Sequence, residues 1–166
     1  MALDAAIYEE VEADQTATGQ ALVVVLLSSV AAGVGARWSN GANVGAIAFV
    51  STVALLAWAG WALVTFEVGS RLMPEPQTRV DVGELLRTIG FASAPGILRL
   101  FGVLPGVTAP AFVITAVWML AAMVVAVRQA LDYTSTLRAV AVCMVGWLLA
   151  LAFMIGIGLV FGPRVA

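Results

Sequence analysis

Long apolar stretches separated by short polar segments make up nearly the whole chain. Four of them match the roughly 20 residues that an α-helix needs to cross a bilayer: residues 18–36, 44–66, 108–127 and 137–161. A fifth apolar stretch, residues 84–106, contains Arg87, Arg99 and the helix-breaking pair Pro95-Gly96. The pattern predicts an all-α integral membrane protein, a helical bundle of five membrane segments in which the third is short and Pro-Gly broken.

The third segment also allows a second topology. Proline removes a backbone donor, and the carbonyl groups that it frees must meet protein or water, because lipid cannot donate hydrogen bonds to them. The alternative to five spans is four spans plus a re-entrant segment. With five spans, five arginines lie on the N-terminal side of the membrane and two on the opposite side. With four spans, the numbers are five and three. Since cytoplasmic loops are enriched in arginine, both topologies place the N-terminus in the cytoplasm, and they differ in the location of the C-terminus.

Composition supports the membrane class and divides the chain into two parts. Hydrophobic residues make up 62% of the chain and charged residues 11%, whereas soluble domains average about 45–50% and about 25%. We expect a single polytopic membrane domain at residues 18–166, preceded by an acidic amphipathic segment at residues 1–17, which has five carboxylates and no basic residue. Because an acidic helix gains nothing from anionic lipid, we expect this segment to rest on a protein partner.

Few side chains in this chain can carry chemistry. The sequence has no histidine and no lysine, and its single cysteine, Cys143, lies in an apolar stretch. The commonest metal ligand, the commonest general base and the amine for a Schiff base are therefore missing. We expect no catalytic, cofactor-binding or metal-binding residues and no enzymatic activity. The arginines lie beside carboxylates and leave no basic face for nucleic acid.

Charged and small residues at helical spacing predict how the segments pair and pack. Glu67 with Arg71, and Arg128 with Asp132, stand four residues apart and can form interfacial ion pairs. Arg99 would be costly among lipid tails, so we expect a carboxylate, a backbone carbonyl, a headgroup or a partner chain beside it. Small side chains that let another helix approach closely recur in the first and last spans: Gly33, and then Ala139, Cys143, Gly146 and Ala150.

The third segment carries a family resemblance. Its residues Gly90-Phe91-Ala92-Ser93-Ala94-Pro95 resemble the glycine-aromatic-x-x-x-proline signature that opens the third membrane segment of Yip-type membrane proteins. Residues 116–118 and 126–139 are similar to the pattern of the bacterial Yip-domain branch, whereas the first two spans agree by hydropathy only. The resemblance implies a multispan fold, a bacterial inner-membrane location, and a motif and helix break made of Gly90, Phe91, Pro95, Gly96 and Arg99.

Two functions fit these features. Eukaryotic Yip-type proteins are partners of Rab GTPases and factors in vesicle traffic, but their long polar cytoplasmic region is much shorter in this chain. The small-residue faces, the acidic segment and the lack of catalytic side chains favour a non-enzymatic multispan scaffold or accessory subunit. Its expected partners are other integral membrane proteins in a larger complex, together with lipids. The alternative is a small transporter or channel-like protein that uses the broken third segment.

Overall fold

The computed structural model describes residues 5–38, 43–79 and 81–161, with side chains except those of Ala5, Arg37, Ala150 and residues 153–161. Residues 1–4 of the predicted acidic segment and residues 162–166 of the predicted membrane domain lie outside these ranges. Within them every regular element is helical. The α-helices are α1 (Ala5–Ala13), α2 (Thr18–Arg37), α3 (Val44–Glu67), α4 (Val82–Ala92), α5 (Thr108–Ala130) and α6 (Thr136–Phe161).

Three of these helices are long and apolar enough to cross a membrane. They are α2 with the 3-10 turn Gln15–Ala17 that precedes it, α3 with the π turn Val68–Leu72 that extends it, and α5. A further apolar helix, α6, is 26 residues long. The predicted all-α architecture is confirmed, with at least three helices of membrane-spanning length and apolarity.

The third apolar stretch begins as an α-helix and changes type at its proline. Asp81 caps α4 by accepting hydrogen bonds from the N–H groups of Gly83 and Glu84, and the Glu84 carboxylate accepts one from the Asp81 N–H at 2.9 Å. α4 ends at Ala92, and Ala94–Val103 continue as a 3-10 segment. Proline near the start of this segment cannot donate the next α-helical bond. The predicted break is present, and the chain passes through it as a narrower helix.

Ser93 supplies donors where the helix breaks. Its backbone N–H donates to the Gly90 carbonyl at 3.1 Å, and its hydroxyl donates to the same oxygen at 2.6 Å. The Gly96 N–H donates in turn to the Ser93 carbonyl at 2.9 Å. The Gly90 and Ser93 carbonyls at the break are therefore satisfied within the segment, as a non-aqueous surrounding requires.

The broken segment, α4 plus the 3-10 segment, runs alongside α2 in the same direction. Glycine permits this close approach, because an added Cβ at each contact would require α2 or the segment to shift. Three glycines of the segment contact α2 in the same order along both elements: Gly90 at Ala21, Gly96 at Ser28 and Gly102 at Gly35. On another face of α2, Gly33 lies directly against Ser51 and the Ile47 carbonyl, which brings α3 equally close.

The acidic helix α1 rests on α4 and α5 of the same chain. Tyr8 is buried there, and the Gln129 side-chain amide donates to the Glu9 carboxylate at 2.6 Å. Arg87 Nη2 donates to the Glu12 carbonyl at 2.6 Å. The surface that we expected a partner protein to supply is thus provided by this chain. These contacts gather α1, the start of α4 and the end of α5 at one end of the bundle, which we call the N-terminal end.

Candidate functional site

A cavity of about 320 Å³ lies in the middle of the bundle, beside the helix break. Every helix except α1 and α4 contributes to its wall, and Ser93 and Arg99 line it from the break and the 3-10 segment. Small residues leave the space, since serines of α2 and alanines of α3 and α5 fill little volume. Large side chains line the rest of it: Trp58 and Trp61 from α3, Met119 and Met123 from α5, and Trp147 from α6.

Three polar atoms at the cavity lack a hydrogen-bond partner among the described residues. They are Arg99 Nε and the indole nitrogens of Trp58 and Trp61. Trp61 is only 5% exposed, so bulk water does not replace the missing partner. All three atoms are donors, because neither indole nor guanidinium can accept a hydrogen bond. The wall of the cavity therefore offers a surplus of donors.

Of the four partners expected beside Arg99, neither a carboxylate nor a backbone carbonyl pairs with its guanidinium among the described residues. Its guanidinium stacks on Phe112 at 5.4 Å from the ring centroid, and it forms no ion pair or hydrogen bond with a described residue. Its backbone lies against Gly35, two residues before the end of α2. The carboxylates of the sequence lie elsewhere, at positions 4–14, 67–84 and 132. A headgroup or another chain remains the expected partner of Arg99.

The other motif residues have packing roles. Gly90, Pro95 and Gly96 are buried, and Phe91 is partly buried against the hydrophobic core. Gly96 is the motif glycine nearest the cavity, because a Cβ there would collide with Ser28 and approach Met119 to 3.0 Å, and both line it. The motif therefore sets how closely the broken segment approaches α2 and α5.

One of the two predicted ion pairs is present. Glu67 and Arg71 pair at 3.0 Å where α3 ends, with side chains 51% and 70% exposed. The predicted pair of Arg128 with Asp132 is wrong, since no ion pair joins them in the described structure. Arg128 Nε donates instead to the Tyr133 carbonyl at 3.2 Å. α5 ends at Ala130 and Asp132 has φ of 52°, so the helical spacing that the pair requires is lost.

The predicted packing face of α6 lies in the core. Ala139 and Cys143 have no exposed surface. A Cβ at Gly146 would lie 2.7 Å from Trp61 Nε1 and 3.2 Å from Thr65 Oγ1, so this glycine lets α6 approach the indole wall of the cavity. The side chain of Ala150, the last residue of that predicted face, lies outside the described set.

A polar cluster that sequence reasoning missed joins the ends of α3 and α5 to the start of α6. It consists of Glu75, Tyr133, Thr134 and Arg138, at the N-terminal end. Glu75 accepts hydrogen bonds from the Thr134 N–H at 3.0 Å and hydroxyl at 2.8 Å, and pairs with Arg138 Nε at 3.5 Å. These hydrogen bonds lower the pKa of Glu75 to about 2. The one sequence signal is a carboxylate between Pro74 and Pro76, which does not identify partners about 60 residues away.

A second titratable group lies under α1. The pKa of Glu12 is raised to about 7, mainly by burial and also by the neighbouring carboxylates Glu84 and Asp132. The Arg87 guanidinium lowers this pKa by a smaller amount. This carboxyl can gain or lose a proton near neutral pH. It stands apart from the cavity, at the junction between the acidic helix and the bundle.

The described residues of the cavity offer hydrogen-bond donors and apolar surface. In the described ranges no three His, Cys, Asp or Glu residues are grouped so that they could hold a metal ion. The residues that line the cavity include hydroxyl groups but no carboxylate, histidine or lysine that could act as their base. The chain matches no protein-family model, no curated protein and no solved structure. The Yip-type resemblance therefore remains a prediction from the sequence.

Proposed function

We propose that this protein is a non-enzymatic multispan membrane scaffold or accessory subunit, with five membrane segments and a cytoplasmic N-terminus. The outward face of α3 carries the proposal. Only 11% of the most apolar stretch of α3 is buried, against 44% for α2. Its first four turns contain no buried residue. One face of the helix carries small residues among larger apolar ones, and the small residues are Gly45, Ala48, Thr52 and Gly60. Such a face admits another helix at close range.

The course of the broken segment supports five membrane segments. From Ala21 to Gly35, α2 advances about 21 Å at 1.5 Å per residue, and the segment covers the same path between Gly90 and Gly102. The part of α4 that precedes Gly90 adds about 12 Å, so the total matches a hydrocarbon core of about 30 Å. A 3-10 rise of about 2.0 Å per residue lets this short segment keep pace with α2.

A C-terminal reporter tests the topology. With five segments the C-terminus lies across the membrane from the N-terminus, so alkaline phosphatase fused there should be active and a cytoplasm-dependent fluorescent protein should not. The same reporters fused before residue 5 should give the opposite pattern. A C-terminal fusion active only in the cytoplasm would exclude five spans and restore the re-entrant alternative.

The glycine of the outward face gives a sharp test of the scaffold. A side chain added at Gly60 meets nothing within 4 Å, so Gly60→Leu leaves the fold of this chain intact while blocking a helix docked on that face. Gly19→Leu is the matched control, because Gly19 also has open space around it. In mild detergent we expect wild type and Gly19→Leu to co-purify with membrane proteins that Gly60→Leu loses. A monodisperse wild-type monomer that retains no partner would refute the proposal.

Transport through the cavity is the second candidate function. It is favoured by a donor-rich cavity beside a broken helix, since many transporters build their sites where membrane helices are interrupted. Among the described residues that line the cavity, Arg99 is the charged one, so an anion would be the solute. We expect chloride or formate efflux from liposomes that Arg99→Ala abolishes and Arg71→Ala does not. Wild-type liposomes without efflux would eliminate this candidate.

A further inference from the structure

We infer that the mid-bundle cavity is a binding site for an amphiphile with an anionic head, whose head pairs with Arg99 and whose apolar tail lies among the methionine and tryptophan side chains. Binding at this site requires neither a partner protein nor transport. It assigns a ligand class to a cavity that a scaffold alone does not need.

The hydrogen-bonding state of the wall determines what the guest must supply. The unpartnered atoms Arg99 Nε, Trp58 Nε1 and Trp61 Nε1 are all donors. Buried donors without acceptors are destabilising, and native proteins leave few of them. Pure hydrocarbon in the cavity would leave all three unpaired. A guest with oxygen acceptors can satisfy one or more of them, and oxygen acceptors on an apolar chain define an amphiphile.

Charge makes the head anionic. The guanidinium of Arg99 is permanently protonated, and its ring contact with Phe112 leaves its hydrogen-bonding capacity unused. No carboxylate is among the residues that line the cavity. Carboxylate and phosphate oxygens form the shortest and strongest hydrogen bonds to arginine, often two at once. An anionic head therefore fits this position better than a neutral carbonyl or hydroxyl group.

The position of Arg99 gives the guest its orientation. Because the Arg99 backbone lies beside Gly35 near the end of α2, the guanidinium enters the cavity from the membrane face opposite the N-terminal end. Trp61 lies toward the other end, in the last two turns of α3. The head of an amphiphile at Arg99 thus lies on the side of one lipid headgroup layer, and its tail points toward the bilayer centre, as in a lipid leaflet.

Size limits the guest to a short chain or part of a longer one. A cavity of about 150 Å³ in another protein holds one benzene molecule. The 320 Å³ here is about twice that, which corresponds to roughly a dozen carbon atoms rather than to two long acyl chains. A single-chain carboxylate or phosphate of medium length fills it, and so does one end of a phospholipid.

Quenching of tryptophan fluorescence by bromoundecanoate tests this site. The full chain is placed in nanodiscs of zwitterionic phosphatidylcholine. Trp38→Phe and Trp118→Phe remove the two indoles that do not line the cavity, so that Trp58, Trp61 and Trp147 report binding. Bromoundecanol, which has the same tail and no charge, is the control for simple partition. We expect saturable quenching by the carboxylate at roughly tenfold lower concentration than by the alcohol.

Variants link the charge preference to Arg99. Arg99→Gln should lose the preference for the carboxylate, Arg99→Lys should retain part of it, and Arg71→Gln, at an exposed arginine outside the cavity, should retain it all. Should Arg99→Gln fail to fold by circular dichroism, Trp58→Phe removes one donor and keeps an aromatic ring, and it should raise several-fold the concentration of carboxylate that half-quenches the two remaining cavity indoles.

Competition identifies the source of the anionic head. Displacement of bromoundecanoate by phosphatidylglycerol in the disc would assign the site to a membrane lipid. Displacement by undecyl phosphate or undecanoate without an effect of phosphatidylglycerol would assign it to a free single-chain amphiphile. Equal quenching by the alcohol and the carboxylate would overturn the inference, and so would a charge preference unchanged in Arg99→Gln. Where Arg99→Gln does not fold, a half-quenching concentration unchanged in Trp58→Phe would overturn it instead.

Discussion

The polar cluster at the N-terminal end and the mid-bundle cavity differ in whether their polar side chains have hydrogen-bond partners within the chain. In the cluster, Glu75 and Arg138 pair with each other, and the single Tyr133 hydroxyl hydrogen is shared between the carbonyls of Gly69 and Met73, both 2.8 Å from Oη. At the cavity, Arg99 Nε and the indole nitrogens of Trp58 and Trp61 have no hydrogen-bond partner among the described residues. The paired groups of the cluster hold helices together, whereas the unpaired donors of the cavity are the basis of the ligand site inferred above.

The largest expected effect tests the close contact between α2 and the 3-10 segment that carries Arg99. In Gly35→Val, the new Cβ would collide with the Arg99 carbonyl, which is backbone and cannot rotate away. Overpacking costs about 1–3 kcal/mol, and a collision with backbone belongs at the upper end. We expect the Tm of the purified protein in mild detergent to fall by far more than in Gly19→Val, where a side chain meets nothing within 4 Å. Equal Tm values for both variants would mean that α2 and the 3-10 segment are not held this closely.

Sequence pattern predicts the backbone architecture of the described part well. Apolar stretches of the right length place α2, α3 and α5, because the bilayer fixes how long an apolar helix must be. Pro95 places the helix break, since a proline cannot donate in any sequence context. Two of the small residues named from the sequence, Gly33 of α2 and Gly146 of α6, also lie where neighbouring helices approach closely.

Long-range partners could not be predicted in the same way. The ten-residue 3-10 segment is unusual, because such runs seldom exceed four residues, and it depends on its contacts with α2 and α5. Glu75 meets Thr134 across 59 residues of sequence, a contact that no local spacing encodes. The pair of Arg128 with Asp132 failed for the opposite reason: local spacing predicted it, but the turn at Asp132 ends the helix.

The next largest effect removes one hydroxyl from the polar cluster. Tyr133→Phe keeps the buried ring but leaves the carbonyls of Gly69 and Met73 without their donor. The loss of a buried hydrogen bond of this kind costs about 1–3 kcal/mol. We expect a measurable fall in Tm, larger than in Thr52→Val, whose hydroxyl bonds within its own exposed helix. If Tyr133→Phe were no less stable than Thr52→Val, the cluster would not be holding α3 to the loop between α5 and α6.

A smaller effect depends on pH and is confined to α1. The pKa of Glu12 is raised from its ordinary value of 4.5 to about 7, mainly by burial. The docked helix therefore binds its proton more tightly than the undocked one. The resulting stabilisation is fully present below about pH 4.5 and is lost as the pH rises through about 7.

Hydrogen–deuterium exchange of α1 measures this dependence. After correction for intrinsic exchange rates, we expect the amides of α1 to be better protected at about pH 5.5 than at about pH 8. Glu12→Gln should remove most of that difference, whereas Glu10→Gln, at an exposed position on the same helix, should keep it. Protection that rises with pH in the wild type would contradict the raised pKa of Glu12.

The smallest expected effect concerns the ion pair outside both regions. Glu67 and Arg71 lie at 3.0 Å, but both side chains are more than half exposed, so water screens the attraction and ordering two long side chains offsets it. Arg71→Ala should cost under about 0.5 kcal/mol. Arg138→Ala should cost more, because it also removes the hydrogen bond to the Pro74 carbonyl at 2.8 Å and leaves Glu75, only 8% exposed, without its cation. Chemical denaturation could instead show that the two variants lose equal free energy of unfolding. Placement within the polar cluster would then add nothing to an ion pair, and the contrast between the two regions would rest on the cavity alone.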